Sequence, residues 1–214
     1  MEAPVIVLIC LAVLFLGMIA WLIFYTQRRQ KQNRDTQRII TDKELLKIFQ
    51  NRPDGILSPV QVQELTGLSK TEASSRLQVL SMGHILRAGH AGGGMRLYYE
   101  LTAPLEEVEI EGLSSDPFLT TEDLHKIFRA YNYRVSPQDL IMATGLPWKV
   151  IQREMKHFAK KKIIDAVFIN RPGDSPLQYV LKDPYLQNPE AFLREAETLD
   201  LEMKEILRND DLLV

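Results

Sequence analysis

Two stretches decide how this chain is read: SPVQVQELTGL (58–68) and SPQDLIMATGL (136–146). Each opens on Ser-Pro and closes on Thr-Gly-Leu, in the same register. Serine before proline suits a helix N-cap followed by proline at the first helical position, where a missing N–H is no loss. Glycine after a short helix can take the positive φ of a tight turn. Working outward, KELLKIF (43–49) precedes the first stretch and EDLHKIF (122–128) the second, with a connecting loop one residue shorter in the second. Downstream, Leu77, Leu80 and Ile85 fall on Met155, Phe158 and Ile163. Both copies end on a strand-like segment, LYYEL (97–101) and LQYVL (177–181). The chain therefore holds an internal repeat, and repeats of this length are read as copies of one structural unit.

Each copy predicts three helices and a hairpin. In the first helix Leu45, Ile48 and Phe49, like Leu124, Ile127 and Phe128, recur at the i, i+3, i+4 spacing of one buried face. The second helix runs from Ser-Pro to Thr-Gly-Leu. A third follows at once, over 70–82 and 147–161, with apolar stripes at Ala73, Leu77 and Leu80 and at Ile151, Met155 and Phe158. Strands are expected at 84–88 and 163–169, then the turn-rich segments GHAGGG and NRPGDSP, then the closing strand.

Helix, helix, tight turn, helix, hairpin is the order of a winged helix-turn-helix domain. TGLSKTEASSRLQVLSMGHILRA (66–88) and TGLPWKVIQREMKHFAKKKIIDA (144–166) resemble the turn, third helix and first wing strand of that superfamily. The resemblance implies a fold and does not by itself imply a function.

The N-terminus has a different composition. Residues 4–25 carry no charge, and VIVLICLAVLFLGMIAWLIFY (5–25) is almost wholly apolar. About 20 such residues in a helix would span a bilayer core. A cleaved signal peptide would need a basic start and small residues near its end, whereas Glu2 is the only charge before the run and Trp21, Leu22, Ile23 and Phe24 close it. Trp21 and Tyr25 suit the membrane interface, and Arg28, Arg29, Lys31, Arg34 and Arg38 follow, the flank expected on the cytoplasmic side. The localisation expected is a single pass in the cell membrane, with the N-terminus outside and the domains in the cytoplasm. Cys10 is the only cysteine, so no disulfide can form within the chain.

The fold class expected is mainly α with small β-hairpins (α+β): one N-terminal transmembrane helix and two tandem winged-helix domains. The division expected is an anchor at 1–26, a basic juxtamembrane segment at 27–40 and a first domain at 41–102. An acidic linker at 103–119 and a second domain at 120–182 follow, with an amphipathic helix in 183–214.

Function is sought on the third helix. In winged-helix proteins that bind DNA this helix enters the major groove and the wing touches the backbone. In the second copy Lys149, Arg153, Lys156 and Lys160 follow i, i+4, i+7, i+11 and form one basic stripe opposite the apolar one. Gln152 and His157 flank it, and Lys161, Lys162 and Arg171 add charge toward the wing. The aligned positions of the first copy are Thr71, Ser75, Gln78 and Met82, without charge, although Lys70, Arg76, Arg87 and Arg96 lie nearby. The nucleic-acid-binding set expected is therefore Lys149, Gln152, Arg153, Lys156, Lys160 and Arg171.

Two readings follow. The first is a membrane-anchored transcriptional regulator that contacts DNA through the third helix of the second domain. The second is an adaptor that uses winged-helix surfaces to hold a protein partner or a second copy of itself. Near neutrality, with 26 Lys and Arg against 28 Asp and Glu, favours the second, because non-specific binding through many phosphates usually needs more positive charge. The partners expected are thus the lipid bilayer and either DNA or protein. No catalytic constellation, cofactor motif, metal site or small-molecule substrate is expected. Gly92, Gly93 and Gly94 lack the lysine of a phosphate loop, and His84, His90, His125 and His157 lack partners at ligand spacing.

Overall fold

The computed structural model describes residues 15, 17, 18, 21, 36–92, 96–169, 176–183, 185–188, 193–194 and 198–205. The first unit runs α1 (Asp42–Gln50), β1 (Ile56–Leu57), α2 (Pro59–Thr66), α3 (Lys70–Met82), β2 (Leu86–Ala91) and β3 (Arg96–Leu101). The second repeats that order: α4 (Thr121–Ala130), β4 (Arg134–Val135), α5 (Pro137–Thr144), α6 (Trp148–Lys160), β5 (Ile164–Phe168) and β6 (Leu177–Leu181).

The repeated motif makes the same local structure twice. Ser58 and Ser136 are extended, and their hydroxyls accept from the backbone N–H groups of Gln61 and Asp139. The Gln61 and Asp139 side chains accept the serine N–H in return, which closes a capping box. At the other end Gly67 and Gly145 adopt φ of 75° and 69°, the left-handed conformation that ends a helix. The threonine before each glycine bridges the break. Thr66 and Thr144 donate to the carbonyls of Val62 and Leu140 and accept from the amides of Leu68 and Leu146. All three residues of Thr-Gly-Leu thus take part in the turn.

Each sheet is antiparallel and three-stranded, in the order β1-β3-β2 and β4-β6-β5. Leu86 pairs with Leu101 and Ile164 with Leu181. The sequence predicts only the hairpins; the third strands, β1 and β4, precede α2 and α5. Two residues are too short to show alternation, yet Leu57 and Val135 are fully buried there. The buried faces of the two units merge into one apolar cluster, which includes Leu45, Phe49, Leu77 and Leu80 of the first and Ile127, Phe128, Met155 and Phe158 of the second.

The segment between the units is pinned down. Leu105, Phe118 and Leu119 are buried. Lys47 pairs with Glu107 at 2.7 Å, Tyr131 donates to the Glu106 carbonyl at 3.2 Å, and the Ser114 N–H donates to Asp123 at 2.9 Å.

The expected transmembrane helix requires correction. Among the described residues no helix is long and apolar enough to cross a membrane. A span needs about 20 apolar residues in one helix, whereas α3 and α6 have 13 each and carry polar faces. Of the apolar run only Phe15, Gly17, Met18 and Trp21 are described; they are helical and exposed. The rest of the run, with Tyr25, Arg28, Arg29 and Lys31, lies outside the described residues. A span needs one long apolar helix, and the described residues hold none. The single-pass topology and the cell-membrane localisation derived from that run fall with it.

Candidate nucleic-acid interface

Helix α6 is amphipathic. Trp148, Ile151, Glu154, Met155 and Phe158 are buried, whereas Lys149, Gln152, Lys156 and Lys160 are exposed. At 3.6 residues per turn the three lysines fall within about 40° of one another, and Gln152 stands about 60° to one side. They span about 16 Å of helix axis. No described residue forms an ion pair with Lys149, Lys156 or Lys160. Crowding by its neighbours lowers the Lys149 pKa, with the Asp42 carboxylate opposing that shift.

Arg153 belongs to the predicted stripe but is only partly exposed, with a guanidinium nitrogen 3.4 Å from Glu154. Arg171 lies outside the described residues. At the far end, Lys161 pairs with Glu202 at 2.7 Å and His157 lies 3.1 Å from the same carboxylate. Burial lowers the His157 pKa, with Glu202 opposing. Glu202 comes from a helical segment at 198–205 whose Leu199 and Met203 are buried. Lys204 of that segment lies 5.9 Å from the Phe118 ring centroid, and Asp200 accepts from the Thr121 N–H at 2.8 Å, at the start of α4.

Two ionisable side chains are buried at equivalent places of α6 and α3. Glu154 is fully buried and accepts from the Leu119 N–H at 2.8 Å. Burial pushes its pKa up to about 7, against the lowering effects of that hydrogen bond and of Arg153. Its repeat counterpart is Arg76, which sequence reading places among the basic residues near α3. In the structure Arg76 is buried, donates to the carbonyls of Thr36 and Ile40, and forms an ion pair with Asp42. It is withdrawn from any outward surface.

The first turn of α6 is held by the other unit. Helix α3 is capped locally, the Ser69 hydroxyl accepting from the Glu72 N–H. Helix α6 has Pro147 in that place, with no side-chain cap of its own. The missing acceptor arrives from α1: the second oxygen of Asp42 accepts from the Trp148 N–H at 2.8 Å. The Trp148 ring is buried against Gly83, where an added Cβ would lie 2.3 Å from the indole nitrogen. Trp148 is therefore a core residue at the seam between the units.

The outer face of α3 differs. Thr71 and Gln78 are exposed and uncharged, Ser75 is half-buried, and Met82 is 73% exposed. Arg87 is paired with Glu100 at 3.2 Å, which leaves Lys70 and Arg96 as the exposed cations around α3 without a described ion-pair partner. Among the described residues no group of three or more His, Cys, Asp or Glu is placed to hold a metal ion.

No protein-family model matches the chain, and no curated protein matches it.

The buried roles of Asp42, Arg76 and Glu154 escape the sequence reading, although a signal for two of them exists. The apolar stripe of α3 at 73, 77 and 80 has its i+3 place at 76, and that of α6 at 151, 155 and 158 has its i+3 place at 154. A charge in a core position implies a buried partner.

Proposed function

We propose that the two units are winged helix-turn-helix domains and that the chain binds nucleic acid, as a transcriptional regulator, through the exposed face of α6. One observation carries the reading: Lys149, Lys156 and Lys160 share one exposed face and form no ion pair with a described residue, while the matching face of α3 has no charge. Such a face suits phosphate oxygens, which supply most of the affinity in protein–DNA contacts. The order helix, strand, helix, helix and two strands, repeated in both units, supports the domain assignment.

The test is fluorescence anisotropy of the full chain on random duplex DNA at low salt. Binding should weaken sharply when Lys149, Lys156 and Lys160 are all changed to Ala; unaltered affinity in that variant would remove α6 from the interface.

A second reading, a protein-binding adaptor, is favoured by Val60, Leu65 and Met82, large apolar side chains exposed on α2 and α3. Sedimentation equilibrium of the full chain, compared with a Leu65→Lys, Met82→Lys variant, distinguishes a self-associating form from a monomer.

A further inference from the structure

We infer that the second unit carries a binding site for an acidic amphipathic helix of a partner protein, and that residues 198–205 fill it in cis as a tethered ligand. The inference stands apart from the nucleic-acid reading, because the site lies between the end of α6 and the start of α4.

The two units present an equivalent face, and both copies of it are occupied. The face joins the first residue of the first helix to the residue that ends the third. In the first unit these are Asp42 and Gly83. The start of α6 is seated there: the Trp148 N–H donates to Asp42, and the Trp148 ring lies on Gly83. In the second unit the equivalent residues are Thr121 and Lys161, and the helical segment 198–205 is seated on them. Thr121 donates to Asp200 from its N–H at 2.8 Å and from its hydroxyl at 2.7 Å, and Lys161 pairs with Glu202 at 2.7 Å.

Between the two copies the chemistry of the face is reversed. Asp42 accepts from an incoming donor, and Gly83 leaves room for a ring. Thr121 instead offers two donors and Lys161 a cation, with His157 3.1 Å from the Glu202 carboxylate, so the second unit selects acids. The segment matches that demand. Leu199 and Met203, four residues apart, are buried, and Leu201 is 61% exposed on the outside. At 3.6 residues per turn Asp200 and Glu202 stand about 80° to either side of the buried pair, so one carboxylate reaches α4 and the other α6. An amphipathic helix held by apolar anchors one turn apart is a recurrent way for one protein to take a segment of another. A ligand tethered in the same chain acts at an effective concentration in the mM range, which sets the threshold a partner must pass.

The test uses the full chain carrying Leu199→Asp and Met203→Asp, which removes both apolar anchors, and a fluorescein-labelled peptide of residues 198–205. Fluorescence anisotropy should show the peptide binding this variant at least about tenfold more tightly than the unaltered chain, whose own segment holds the site. Adding Lys161→Glu should abolish that uptake, and a peptide with Glu202→Lys should restore it. A second full-chain variant, Asp200→Lys with Glu202→Lys, keeps the apolar anchors and should also admit the unaltered peptide, so that a folding defect in the first variant does not decide the matter. Failure of the peptide to bind either variant, or equal binding to the unaltered chain, would overturn the inference.

Discussion

Arg76 and Glu154 occupy equivalent places in the third helices of their units and do equivalent work with opposite charge. Arg76 donates to the Ile40 carbonyl, just before the cap of α1; Glu154 accepts from the Leu119 amide, just before the cap of α4. Each ties the chain entering its unit to that unit's third helix. Removing one partner of a buried pair leaves the other uncompensated. Asp42→Ala should therefore lower stability by about 3 kcal/mol, seen as a drop in urea midpoint at constant slope. Glu154 acts through pH. Below its ordinary pKa of 4.5 the carboxyl is protonated whether folded or not; from there to about 7 only the folded form keeps the proton. Stability should fall as pH rises through that window and level off above it, by roughly 3 kcal/mol in all. Glu154→Gln keeps an acceptor for Leu119 and should flatten the profile; urea midpoints between pH 5 and 8 check this. The positions of both residues are legible in the helical period, but their partners are not, because pairing over such separations depends on tertiary packing.

At the scale of elements, what the sequence discloses follows from how local each cause is. Ser-Pro, the capping side chains three residues on, and Thr-Gly-Leu all act within one turn, so α2 and α5 can be read from a few letters. Gly67 and Gly145 stand at positive φ with open space where a Cβ would go, so alanine there meets conformational strain without a clash. Gly67→Ala and Gly145→Ala should each cost about 1 to 2 kcal/mol, by thermal unfolding. Strands β1 and β4 are hidden for the converse reason: two residues gain their identity only from pairing with β3 and β6. Helix α6 lies between these cases. Its basic face is periodic and visible, but its cap is supplied by a residue 106 positions away.

At the scale of the whole molecule, three backbone N–H groups among the described residues are held by carboxylates from distant segments: Trp148 by Asp42, Leu119 by Glu154 and Thr121 by Asp200. With one continuous apolar cluster beneath them, the two units should unfold in a single transition; two separated steps in calorimetry would contradict that. The seam can be probed directly. Gly83→Ala places a methyl group inside the indole and should destabilise by about 2 kcal/mol or more, yet cost far less in a Trp148→Leu background, a coupling that a double-mutant cycle measures. No sequence pattern announces this seam, because Pro147 reads as an ordinary helix start and the loss of a cap appears only when its sister, Ser69, is seen at work. That substitution has a lasting result for the repeat. Duplicated domains usually remain interchangeable parts that can be cut out, swapped or multiplied; here the second copy has surrendered the start of its third helix to the first, and the pair can be inherited only together.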